Sequence, residues 1–165
     1  MTSVTEAPPS AEAYLLRAIE AGRAGMVARL GGPFGAVIVG PDGDVVAEGC
    51  NRVTSANDPT AHAEVAAIRA ACTAVGSFQL AGCTLYTSCE PCPMCLSAAY
   101  WARVDAIVYG ASRADAAAAG FDDAFIYDEI GLAPSARHIP MRRAAVGPAA
   151  ALLGEWLELA DRMPY

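Results

Sequence analysis

His62, Glu64, Cys92 and Cys95 are the residues of this chain whose types and spacing could do chemistry together. One neutral imidazole and two thiolates balance the two positive charges of a zinc ion and supply three protein ligands, leaving a fourth tetrahedral position for water. A structural zinc normally takes four protein ligands. Outside the stretch from Cys89 to Cys95 the sequence offers no further CxxC and no HxxxH to complete such a set. Zinc brings a bound water's pKa to around 7, so hydroxide exists at neutral pH and its proton must pass to a neighbouring group. Glu64 follows His62 by two residues, too close to ligate the same ion easily from a helical turn, yet able to reach that water and ferry a proton. Apolar neighbours should raise its pKa, as a general acid and base near neutrality requires. A redox CxxC has no use for a His-x-Glu thirty residues earlier, and His62 alone would read as a core histidine; the joint pattern carries the site.

The elements that must position these residues follow from the apolar periodicity. Residues 1–9 read as a disordered lead, and Ser10 can cap a helix over 11–30 that Gly31, Gly32 and Pro33 stop. Two apolar strands, 34–40 and 45–53, flank the turn Pro41-Asp42-Gly43-Asp44 as a hairpin. After a polar loop, 61–75 reads as a helix with Asp58 or Thr60 as its cap, 82–88 as a strand, 91–104 as a helix opening with prolines and 105–112 as a strand. Residues 112–135 mix short helical pieces with loops, 137–146 reads as one more strand, and 148–163 as a closing amphipathic helix. His62 and Cys92 then open two helices, and in a parallel arrangement both starts lie at the carboxyl ends of their strands, where open α/β sheets bind ligands. A helix N-terminus also favours thiolate. The expected fold is α/β, with three α/β/α layers and one domain over residues 10–165.

Composition supports a packed core. The chain has 165 residues, 55% hydrophobic and 18% charged, enough to bury about two thirds of its unfolded surface. The net charge of −7, with eleven basic residues that are all Arg and nowhere massed, excludes a nucleic-acid backbone as partner. No apolar run is long enough to span a bilayer and the N-terminal residues lack a signal pattern, so the expectation is a cytoplasmic protein without a membrane partner. Cys50, Cys72, Cys83 and Cys89 are then free thiols rather than disulfide partners.

His62-Ala63-Glu64 and Pro91-Cys92-Pro93-Met94-Cys95 match the H-x-E and P-C-x-x-C signature of the zinc deaminases. Within that superfamily the chain resembles the bacterial guanine deaminases, through GGPFGAVIV (31–39), NDPTAHAE (57–64), LYTSCEPCPMC (85–95), YWAR (100–103) and AGFDDAFIY (119–127). The resemblance is dense over about residues 31–130 and thin beyond. It implies the cytidine deaminase-like fold with a mixed five-stranded sheet and helices on both faces, and one Zn2+ per chain. It also implies a purine site in which Phe34 and Trp101 pack on the ring, Ala63 and Asn51 bind it, and Asp123 and Tyr165 meet its exocyclic edge, Asp123 also relaying a proton. Asp122 reads as a solvated turn, while Ser88 and Glu90 orient the ligands. The implied reaction converts guanine to xanthine and ammonia, with attack at C2 and Glu64 protonating a ring nitrogen and then the leaving amine. The implied assembly is a homodimer whose C-terminal segment, from about residue 147, is exchanged, so that Tyr165 completes the partner's site.

Other substrates stay open on the residues alone: guanosine, cytosine, a pterin or a triazine could occupy the same pocket after small changes of lining. A tRNA adenosine deaminase shares the motif but would want a basic rim. A deaminase joined to a reductase of riboflavin synthesis would need a second domain. A non-catalytic zinc or ligand-binding module has no need of Glu64.

Overall fold

A computed structural model describes residues 10–165, so the expected disordered lead at 1–9 lies outside the described residues. Two compact units divide the described chain, the first ending at Asp123 and the second spanning Ala124–Tyr165.

The first unit opens with α1 (Ala11–Val27), whose N-cap Ser10 accepts a hydrogen bond from the Ala13 N–H at 3.3 Å. The helix ends before residue 30, where Arg29 turns into the left-handed region at φ 58. β1 (Gly35–Val39) and β2 (Val45–Cys50) form the expected antiparallel hairpin. A short α2 (Val53–Ala56), unforeseen in the polar loop, precedes α3 (Ala63–Val75). Then come β3 (Thr84–Cys89), α4 (Pro93–Ala102), β4 (Ala106–Ala111) and α5 (Arg113–Ala118).

The sheet order is β2-β1-β3-β4. β1 is antiparallel to both neighbours and β3 is parallel to β4, so β2, β3 and β4 share one direction. α3 follows β2 and α4 follows β3; both therefore start at the same end of the sheet. Every residue of β1 is buried, and its alternation serves two cores. Ala36 and Ile38 pack with Ala63, Ala67, Ile68 and Ala99 of α3 and α4 on one face, while Val37 and Val39 pack with Tyr14 and Ala18 of α1 on the other. Helices thus cover both faces. The registration of α3 on the hairpin depends on Gly49, where a Cβ would lie 2.4 Å from the Ala63 carbonyl oxygen and 2.6 Å from the Ala67 nitrogen.

The sheet has four strands among the described residues, not the five expected. Residues 137–146, read as the additional strand, are irregular. Pro140 removes a ladder donor from the middle of that stretch, and the adjacent Arg142 and Arg143 break its alternation.

The second unit holds α6 (Ala124–Gly131), a 3-10 turn (Pro134–Ala136) and α7 (Gly147–Glu158). Arg137 closes the end of α6 by donating to the carbonyls of Ile130 and Leu132, and His138 N–H donates to Glu129. Leu152, Leu153 and Leu157 of α7 are exposed. Among the described residues no helix is long and apolar enough to cross a membrane.

Candidate metal centre and active site

His62 and Cys92 are the N-cap residues of α3 and α4, and both are extended, at φ −68°, ψ 157° and φ −64°, ψ 168°. An N-cap side chain ordinarily turns back onto its own helix. Neither of these makes a side-chain capping bond. They meet each other instead: His62 Nδ1 lies 3.5 Å from Cys92 Sγ and 3.4 Å from Cys95 Sγ, with Cys95 in the first turn of α4. Asp58 and Thr60, expected as caps, are used one step earlier. Asp58 Oδ1 accepts from the Thr60 N–H at 2.8 Å and its hydroxyl at 2.7 Å, and the Thr60 carbonyl accepts from the His62 N–H at 2.8 Å. With Asp58 committed to that turn, the cap position passes to His62.

The ligand atoms of His62, Cys92 and Cys95 all lie within 4.8 Å of one another. Zinc–sulfur bonds near 2.3 Å and zinc–nitrogen bonds near 2.0 Å at a tetrahedral angle place nitrogen and sulfur about 3.5 Å apart. The observed separations are of that size, and they identify Nδ1 as the ligand nitrogen. Cys89, which also forms a CxxC spacing with Cys92, is outside this ligand group: its thiol donates to the Ser112 carbonyl at 3.6 Å. The electrostatics fit a dication. A hydrogen bond from the Cys95 thiol and the nearby His62 ring hold the Cys92 thiol down to about 4, in spite of burial. The Cys92 sulfur and burial push the Cys95 thiol up, because a second thiolate beside the first is disfavoured without positive charge between them. The hydrogen bond to Cys92 raises the His62 imidazole. A zinc ion supplies the charge that lets both thiolates coexist with a neutral imidazole.

Glu64, in the first turn of α3, is 6% exposed, and burial raises its carboxyl pKa before any neighbouring charge acts. It lines a cavity of about 320 Å³ together with His62, Cys92, Phe34, Asn51 and Asp123. The size lies at the small end for ligand sites, suited to one ring system. Asn51 is buried, and its Oδ1 accepts from the Gly32 and Val53 N–H groups, each at 3.2 Å. Two donors occupy that oxygen, so the amide NH2 is the group left to address a ligand, as a donor. Phe34 stands against Phe121 at a centroid distance of 4.9 Å and an interplanar angle of 84°. Desolvation, with the Cys92 charge behind it, raises the Asp123 carboxyl.

Ala63 is fully buried at the start of α3. Trp101, on α4, is 66% exposed and does not line the cavity; Tyr165 belongs to the second unit and is 74% exposed. Ser88 accepts from the Gly35 N–H at 3.0 Å, and Glu90 from the Arg113 N–H at 3.0 Å. Asp122, read as a solvated turn, lines the cavity alongside Asp123. Phe121 also lines the cavity, a role that its place inside the AGFDDAFIY stretch does not by itself reveal.

Comparisons with known proteins agree with this geometry. Residues 8–111 match the family of the cytidine and deoxycytidylate deaminase zinc-binding region. Guanine deaminase of Bacillus subtilis is 52% identical over 154 residues, covering 93% of this chain and 98% of that one. The X-ray structure of guanine deaminase from Bacillus subtilis superposes with a TM-score of 0.92 at 51% identity, over 95% of this chain and 99% of the other. Guanine deaminase from Nitrosomonas europaea is 33% identical, with a TM-score of 0.65 over 72% of this chain and 68% of that one. On the joint weight of fold, ligand geometry and family match, the chain belongs to the cytidine and deoxycytidylate deaminase zinc-binding family of zinc-dependent aminohydrolases, with one zinc per chain.

Proposed function

We propose that this enzyme converts guanine and water to xanthine and ammonia. The observation that carries the reading is 52% identity to a guanine deaminase over nearly the whole of both chains. A cavity of about 320 Å³ with aromatic walls, one oriented amide, and the Asp122 and Asp123 carboxylates beside Glu64 suits a free, polar-edged nucleobase.

His62, Cys92 and Cys95 hold the zinc, which when bound supplies an activated water and Lewis-acid stabilisation of developing negative charge. Phe34 packs on the purine, and Ala63, between His62 and Glu64, binds beside it. The Asn51 NH2 donates to a ring acceptor, while Asp123 accepts from the ring N–H and the exocyclic amine. Glu64 takes the proton from the attacking water as the new C–O bond forms at C2, and delivers it to the adjacent ring nitrogen. It then takes the proton of the new C2 hydroxyl and carries it to the amine; the carbonyl forms, the C2–N bond breaks and ammonia leaves, with Asp123 relaying at the amine. Burial suits Glu64 to both roles by bringing its acid and base forms closer in energy.

Trp101 and Tyr165 complete the purine site in this reading, Tyr165 from the partner of a homodimer whose C-terminal segment is exchanged from about residue 147. The exposure of Trp101, Tyr165 and the α7 leucines supports that assembly. Six free cysteines suit a reducing compartment, hence the cytoplasm. The test is product analysis: the zinc-loaded protein given guanine should yield xanthine and ammonia in equal amounts, and unchanged guanine would refute the assignment.

A further inference from the structure

Phe121 is held by a set of caps that ends at the cavity wall. α5 starts where the Arg113 N–H donates to Glu90, and Ser112 and Asp115 close its first turn as a reciprocal capping box. Its far end is closed by Gly120 at φ 91°, whose N–H donates to the Ala117 carbonyl at 3.0 Å, followed by the Phe121 N–H donating to the Ala116 carbonyl at 2.9 Å. That pair of bonds is the Schellman arrangement, in which the residue after the glycine contacts the last turn of the helix. Ala116 and Phe121 both line the cavity. The Phe121 backbone is therefore fixed by hydrogen bonds, although the residue is 45% exposed.

The ring meets two further groups. It stands at 84° to Phe34, and both rings close on Gly32, where a Cβ would lie 3.1 Å from Phe34 Cδ2 and Cε2 and 3.4 Å from Phe121 Cε1. The Gly32 N–H is also one of the two donors that orient Asn51. The aromatic walls and the amide donor thus share one backbone position. A flat ligand lying on one wall of a right-angled corner meets the other wall at its rim.

We propose that Phe121 is a specificity-determining residue: with Phe34 and Gly32 it forms a corner that admits a free nucleobase and rejects the same base carrying a ribosyl group. This deepens the guanine reading, since it concerns how the same cavity is bounded. A purine stacked on Phe34 places its periphery against Phe121, and a bulky substituent there has no room while the ring is in place.

The experiment compares ammonia release from guanine and guanosine, and from cytosine and cytidine, by the zinc-loaded wild type and Phe121→Ala, with zinc content and circular dichroism measured on both. The expected result is a base-over-nucleoside preference in kcat/KM that falls at least about tenfold in the variant, with KM for the base rising more than kcat falls. Equal loss for base and nucleoside, leaving the preference unchanged, would overturn the proposal. Should Phe121→Ala not fold, Phe121→Leu shortens the wall while keeping it apolar, and the same ratio decides. If wild type ignores guanine but accepts another base, the guanine reading fails while that base and its nucleoside still decide the corner. Should no base be turned over, the binding of guanine and guanosine followed by thermal shift gives the ratio instead, and equal shifts in wild type would overturn it.

Discussion

His62 Nδ1 and Cys92 Sγ stand 3.5 Å apart because each residue occupies the N-cap of its helix in nearly the same backbone conformation. Two helices that start at one end of the sheet thereby turn their cap side chains toward a common point, and the first turn of α4 adds Cys95. Either substitution, His62→Ala or Cys92→Ser, should lower bound zinc from one per chain to below a tenth after dialysis, with loss of ammonia release. Metal analysis by atomic emission checks it; full zinc retention in either variant would contradict the ligand assignment.

Glu64→Gln keeps the shape and removes the proton carrier. Zinc content should stay at one per chain while kcat falls by about 10²–10⁴-fold, the usual worth of a positioned acid and base. Metal analysis beside steady-state kinetics separates this from site collapse, and a wild-type kcat would refute the role.

Asn51 offers a sharper division of labour. Asn51→Asp retains an oxygen for the Gly32 and Val53 N–H groups but replaces the NH2 donor by an acceptor. The melting temperature should change little, whereas kcat/KM should drop by about 1–3 kcal/mol of transition-state binding. Asn51→Ala should lose both activity and stability, since it strands the two backbone donors.

Gly49→Ala tests how the sheet sets the site. The added methyl meets α3 backbone at Ala63 and Ala67, which cannot yield as a flexible side chain would. Overpacking of this kind costs about 1–3 kcal/mol, and here it displaces the helix that carries His62 and Glu64. Weaker zinc binding should accompany the lower melting temperature in a competition titration with a chelator.

The capping box of α5 carries a pH signature. The side-chain hydrogen bond from Ser112, then its backbone N–H, holds the Asp115 carboxyl below the usual carboxylate range. A depressed folded-state pKa contributes stability above the unfolded-state value and loses it as pH falls through the folded-state value. Asp115→Asn should therefore melt below wild type at neutral pH, and the gap should close in strong acid; a gap independent of pH would exclude the carboxylate as its source.

These residues differ in how far they can be read from sequence. His62, Glu64, Cys92 and Cys95 are legible because metal chemistry restricts both type and spacing, and the alternation of apolar strands and helices places their elements to within a few residues. The cap role of His62 is hidden, since Asp58 and Thr60 look better suited until the turn between them is seen. Residues 137–146 show apolar positions without a ladder to join. Phe121 leaves almost no local signal: a six-residue helix and the glycine after it aim a side chain at groups about ninety residues earlier in the chain, Gly32 and Phe34.

Ammonia release by the purified zinc-loaded protein, measured against guanine, guanosine, adenine, cytosine, cytidine and triazine amines under one set of conditions, decides whether guanine is the substrate. The kcat/KM for guanine should lie at least about a hundredfold above that for every other amine, because the site combines an oriented donor, an acceptor and a walled rim. Turnover of a different amine with guanine left intact would contradict that assignment.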